Sequence, residues 1–119
     1  MIRLLICDDH ALVREGFKQI LAEVPDLMVA GEAAEGPEAI QQIRHGGIDV
    51  VLLDIALPGR DGLDVLKQVH QEFPKLPVLI VSTYPEKQYA LRSLRLGASG
   101  YLNKSADPSE LIAAIRKVA

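Results

Sequence analysis

The sequence predicts an α/β fold in which a parallel sheet carries helices on both faces. Short apolar runs alternate with helical patterns five times along the chain. Three of those runs are nearly all apolar rather than alternating, as strands covered on both faces require. Strands that alternate with helices are joined by right-handed crossovers, which makes the sheet parallel.

Each element has its own signal. Ile2–Cys7, Leu27–Ala34, Asp49–Leu53, Val78–Ser82 and Gly100–Asn103 read as strands. Val13, Phe17, Ile20, Leu21 and Val24 form one apolar stripe at helical spacing, the buried face of a first helix. Pro37 stands where a first helical residue is expected, and Gly46-Gly47 ends that second helix. Leu63, Leu66, Val69 and Phe73 mark a third, stopped by Pro74. A fourth runs from about Glu86 to Leu96 and is closed by Gly97. The fifth starts with Asp107 as cap, Pro108 in the first turn and Glu110 completing a capping box, and it buries Leu111, Ile115 and Val118.

Bulk properties narrow the class. With 119 residues, 49% apolar and 24% charged, the chain holds one core, and residues 1–119 read as one domain. The longest uninterrupted apolar run, Leu111–Ile115, is five residues, far short of a membrane span. Asp8 and Asp9 interrupt the N-terminal apolar stretch too early for a signal peptide. A single cysteine, Cys7, forms no internal disulfide and reads as a small buried apolar residue. These features fit a cytoplasmic protein with no membrane partner. A net charge of −3 makes the chain itself a poor clamp for nucleic-acid phosphates.

Ligands of such sheets bind at the carboxyl ends of the strands. Asp8 and Asp9 follow the first strand, Asp54 follows the third, Ser82 and Thr83 end the fourth, and Lys104 follows the fifth. Any one of these acids could be an ordinary turn former, and Asp9 could cap the first helix. Their coincidence on one sheet edge points instead to a site. Clustered carboxylates repel unless a cation is present, and a hard divalent ion such as Mg2+ suits oxygen ligands and accepts phosphate in its shell. Asp54 can then act as a nucleophile towards phosphorus, with Ser82 and Lys104 facing the phosphoryl oxygens. His10 has no second histidine at ligand spacing, so it reads as a helix-start residue at the pocket rim. His45 and His70 read as solvated, and Lys87, Arg92 and Arg95 as an exposed helix face.

Four segments carry a family resemblance: Cys7-Asp8-Asp9-His10, Leu53-Asp54-Ile55-Ala56-Leu57-Pro58-Gly59-Arg60-Asp61-Gly62, Val81-Ser82-Thr83 and Gly100-Tyr101-Leu102-Asn103-Lys104. In order and spacing they resemble the signature blocks of bacterial response-regulator receiver domains, across the whole chain. The resemblance implies a flavodoxin-like (CheY-like) sheet in the order 2-1-3-4-5. It also implies that Asp54 accepts a phosphoryl group from a sensor histidine kinase. Asp8, Asp9, Asp54 and the carbonyl of Ala56 would bind Mg2+, Asp8 mostly through a metal-bound water. Ser82 and Lys104 would contact the phosphoryl group, and Ser82 and Tyr101 would form the switch.

The Asp-Asp-His opening and Gly97 to Lys104 resemble the NarL/FixJ type. Proteins of that type usually carry a helix-turn-helix domain that binds DNA, here to be sought past Ala119. Activation through a homodimer is one route the resemblance leaves open.

Two positions depart from the common pattern. Ser105 follows Lys104 where many receivers have proline. A cis bond before a residue other than proline costs ~3–4 kcal/mol, so a trans bond is expected. Tyr84, two residues after Ser82, is placed to shade a phosphate from water.

Three rival readings weaken on the residues. Cys7-Asp8-Asp9-His10 is acidic and lacks the glycines of a dinucleotide turn. A phosphohydrolase acting on external esters normally needs a general acid and a substrate cap, and no insertion supplies one. A receiver that had lost phosphorylation would not be expected to keep Asp8, Asp9, Asp54, Ser82 and Lys104.

Overall fold

The computed structural model describes residues 1–57, 61–84 and 86–119, with residues 86–88 described by backbone alone. The elements run β1 (Ile2–Cys7), α1 (Ala11–Ala22), β2 (Leu27–Ala33), α2 (Gly36–His45), β3 (Val50–Leu53), α3 (Gly62–Glu72), β4 (Val78–Ser82), α4 (Glu86–Arg95), β5 (Gly100–Asn103) and α5 (Pro108–Val118). All strand pairs are parallel, in the order β2-β1-β3-β4-β5. This is the predicted architecture.

Side-chain alternation along the central strands divides the core in two. Leu5, Cys7, Val51, Leu53 and Ile80 point to the face covered by α2 and α3, where they meet Ile40, Ile43, Leu63, Leu66 and Val69. Leu4, Ile6, Val50, Leu52, Leu79 and Val81 point to the other face, against Phe17 and Leu21 of α1 and Leu111 and Ile115 of α5. Both faces of β1, β3 and β4 are therefore covered, which explains their unbroken apolar sequences.

Boundaries differ from expectation by a residue, each time because a side chain or turn intervenes. Strand β2 ends at Ala33, because the Ala34 N–H donates to Glu38 Oε1 at 2.7 Å and so joins the start of α2. Strand β3 starts at Val50 rather than Asp49, whose carboxylate accepts from the Arg3 N–H at 2.8 Å. Helix α4 ends at Arg95, and Gly97 then turns the chain at φ +110. Asp107 caps α5 as expected, its Oδ1 accepting from the Glu110 N–H at 2.9 Å. Asp9 does not cap α1: the N-cap is His10, and its side chain makes no capping bond. No cis peptide bond occurs among the described residues, so Lys104–Ser105 is trans.

Strand register assembles the edge. Cys7 pairs with Leu53, so the next residues, Asp8 and Asp54, leave the sheet side by side. The Asp54 N–H donates to Cys7 O at 3.0 Å and the Asp8 N–H to Ala33 O at 3.0 Å, which fixes both turns. Ser82 pairs with Asn103, and the Lys104 N–H donates to Ser82 O at 2.9 Å, bringing Lys104 to the same edge.

Candidate phosphoacceptor site

Two carboxylates and one ammonium form the centre. Asp8 and Asp54 are 2% and 3% exposed, yet each meets Lys104 Nζ, at 2.6 Å and 3.2 Å. Buried carboxylates are costly unless paired, and here one cation serves two of them. Burial pushes the Asp54 carboxyl above its ordinary value, and the charge of Asp8 adds to this against the pull of Lys104. Burial alone would lower the Lys104 ammonium, but its bond to Asp8 and the charge of Asp54 outweigh that and raise it. The centre therefore holds one more negative charge than it neutralises.

Backbone contacts hold these groups in place. Asp54 Oδ1 accepts from the Ala56 N–H at 3.2 Å, and Asp8 Oδ1 from the His10 N–H at 2.9 Å. Arg14 Nη1 donates to Asp8 O at 2.6 Å, while Arg14 Nε donates to Glu32 Oε1 at 3.1 Å, tying the β1–α1 turn to β2. Behind Asp54, a Cβ on Gly62 would collide with Asp54 O and with the backbone of Ile55. The Gly62 N–H donates to Ile55 O at 2.7 Å. Only glycine permits that approach, so the start of α3 is pressed against the turn that follows Asp54.

The other predicted residues take distinct places. Asp9 is exposed and lines a groove with Ala56, Asp61, Tyr84, Tyr89 and Arg92. Ser82 is 1% exposed, and its Oγ accepts from the Tyr84 N–H at 3.1 Å, which leaves its hydroxyl hydrogen to donate elsewhere. Tyr101 is half-buried and its hydroxyl donates to Tyr84 O at 3.0 Å. Tyr84 stacks on Tyr89, ring centroids 4.8 Å apart at 27°. Pro58, Gly59, Arg60 and the Lys87 side chain lie outside the described residues.

Several features escaped sequence reasoning. Arg92 borders the groove instead of serving only as an exposed helix face. His70 is exposed as expected, but its ring lies over Gly97, where a Cβ would strike it. His10 lies closer to the acids than a rim residue need be, its Nδ1 3.2 Å from Asp8 Oδ1 and 3.1 Å from Asp9 Oδ1. Arg14 and Gly62 gave no signal beyond their type, since both act through contacts with distant backbone.

One ligand atom from each of Asp8, Asp9, His10 and Asp54 lies within 4.8 Å of the others. An oxygen-rich cluster with surplus negative charge suits a hard divalent cation, so these residues fit Mg2+.

The family model of the response regulator receiver domain matches residues 4–116. The chain belongs to that family. As a receiver domain it shares its five-stranded order with the CheY-like structures it matches. Its sequence is 36% identical to the response regulator UvrY of Escherichia coli K12 over 118 residues, covering 99% of this chain and 54% of that protein. The receiver thus spans about half the length of such a relative. A LuxR-family two-component response regulator from Aurantimonas sp. SI85-9A1 superposes with a TM-score of 0.91 at 36% identity, covering 96% of this chain and 81% of that one. The receiver domain of a putative response regulator NarL from Mycobacterium tuberculosis gives 0.88 at 34% identity, covering 97% and 93%. Both agree with the NarL/FixJ reading of the motifs. No described helix is long and apolar enough to cross a membrane.

Proposed function

We propose that this receiver domain takes a phosphoryl group on Asp54 from a phosphohistidine of a sensor kinase and passes the change to the surface formed by α4, β5 and α5. The observation that carries the reading is the pair of buried carboxylates, Asp8 and Asp54, held on the single ammonium of Lys104. Asp8, Asp9, Asp54 and the Ala56 carbonyl would hold Mg2+. When bound, Mg2+ neutralises the acids and the incoming phosphoryl oxygens.

An Asp54 carboxylate oxygen attacks phosphorus as the P–N bond to the kinase histidine breaks, and the freed imidazole takes up a proton. Lys104, already beside Asp54, moves its charge onto a phosphoryl oxygen, and the free hydroxyl hydrogen of Ser82 donates to another. Because Ser82 Oγ is bonded to the Tyr84 N–H, a shift of Ser82 pulls the segment whose carbonyl holds Tyr101. That link supports a Ser82–Tyr101 switch, in which phosphate favours one of two existing states.

The domain would be a phosphoacceptor that assists its own phosphorylation and dephosphorylation, rather than an enzyme for outside substrates. Its place is the cytoplasm, where the kinase domain reaches it. Control of transcription would pass through a helix-turn-helix domain beyond residues 1–119, by homodimer formation on activation or by release of that domain.

The test is intact mass after incubation with acetyl phosphate, with and without Mg2+. A gain of one phosphoryl group is expected, absent in Asp54→Asn and after metal removal. Turnover of phosphomonoesters with no stable adduct would favour a hydrolase instead.

A further inference from the structure

The acidic centre carries a nitrogen donor that the reading above does not use. His10 Nδ1 lies 3.2 Å from Asp8 Oδ1 and 3.1 Å from Asp9 Oδ1. Two donors bound to one ion at ~2.1 Å are ~3.0 Å apart at a right angle and ~3.4 Å apart at a tetrahedral angle. The observed separations fall within that span, so the imidazole and the two carboxylates are spaced as neighbours around one ion. Asp54 completes the set, all four ligand atoms lying within 4.8 Å of one another.

The approach of His10 is built into the backbone. As the α1 N-cap it is extended (φ −97, ψ 110), and its N–H bonds to Asp8 Oδ1 at 2.9 Å. Its side chain is 63% exposed, so the ring can adjust by a few tenths of an ångström without disturbing the core. An imidazole nitrogen contributes little to Mg2+, which prefers oxygen, but is a good ligand for Mn2+, Fe2+, Co2+, Ni2+ and Zn2+.

We infer that His10 Nδ1 is a direct ligand for a first-row transition-metal dication in the Asp8, Asp9 and Asp54 site, giving this receiver a nitrogen-dependent metal preference. The inference rests on the proposed carboxylate metal site and extends its ligand set. On coordination the Nδ1 lone pair goes to the metal and the ring hydrogen sits on Nε2, so the imidazole stays neutral. Without metal the same nitrogen carries its hydrogen and donates to the two carboxylates.

The test uses the 119-residue chain with Mn2+, Co2+ and Mg2+ as probes. Electron spin-echo modulation of bound Mn2+ should show coupling to a directly bound nitrogen in the wild type and none in His10→Ala. Calorimetric titration should show His10→Ala losing about 10-fold or more in Co2+ affinity, at least five times its loss for Mg2+. Absence of nitrogen coupling in the wild type overturns the inference. So does an equal loss for both ions, which would mean that His10 only orients the carboxylates, or no loss for either. Circular dichroism confirms that the variant is folded. Phosphorylation of the wild type with Mg2+ and acetyl phosphate tests the underlying site separately, and its failure would be distinct from the absence of a nitrogen ligand.

Discussion

Removing the charge of Asp54 should make the metal-free domain more stable. Asp8 and Asp54 present ligand oxygens no more than 4.8 Å apart. At an effective dielectric constant near 20, that separation costs at least about 3.5 kcal/mol. The 3.2 Å contact with Lys104 returns about 5 kcal/mol on the same scale. Burial of a carboxylate at 3% exposure adds a penalty of several kcal/mol, which makes the charge of Asp54 a net cost to the metal-free fold. The raised Asp54 carboxyl has the same sign.

Asp54→Asn keeps the shape but gives up one favourable contact, either with the Ala56 N–H or with Lys104, worth about 1 kcal/mol. A net gain of about 1–2 kcal/mol remains. With an unfolding entropy of about 2.1 cal/mol/K per residue, this chain should melt about 4–8 °C higher as Asp54→Asn, followed by circular dichroism in EDTA. Mg2+ at ten times its dissociation constant stabilises the wild type by about 1.4 kcal/mol and should close most of the gap. A variant melting at or below the wild type in EDTA would refute the reasoning, because Lys104 would then satisfy both carboxylates.

Other outcomes follow from single contacts. Gly62→Ala, whose Cβ meets Asp54 O and the Ile55 backbone, should cost about 1–3 kcal/mol in urea unfolding and slow phosphorylation of Asp54. Tyr84→Ala should shorten the lifetime of phospho-Asp54, read by intact mass over time, and an unchanged lifetime would remove the shading role. Burial pushes the Cys7 thiol up to about 12, so at pH 8 only about one chain in ten thousand carries the thiolate. Native protein should resist iodoacetamide and take one label per chain once unfolded in guanidinium. Rapid stoichiometric labelling of the native state would show that β1 opens easily.

Much of the fold was legible because its signals are local. The Pro37, Pro108 and Asp107 starts and the Gly46 and Gly97 ends are properties of a few adjacent residues, and the structure keeps them. Boundaries moved where a distant partner intervened, as when Arg3 claimed the carboxylate of Asp49. The acids were legible too, because strand ends can be read and acids at strand ends can be counted. The alternative that Asp9 merely caps α1 could not be dismissed from the sequence. Capping depends on backbone angles at the turn, and those place His10 at the cap.

Sequence alone determined the order of elements, the apolar character of the central strands and the identity of the groups at the sheet edge. Tertiary structure decided which of them touch. Register carries Asp8 beside Asp54, the β4–β5 pairing delivers Lys104 between them, and glycine at 62 lets α3 press on the turn that follows Asp54. It also set the ring of His10, at the helix start and the pocket rim, 3.2 Å from Asp8 and 3.1 Å from Asp9. These contacts join residues far apart in the chain through hydrogen-bonded strands, so no local pattern records them. Periodicity and caps are written over a few residues, whereas a shared cation and a ligand distance exist only once the sheet has closed.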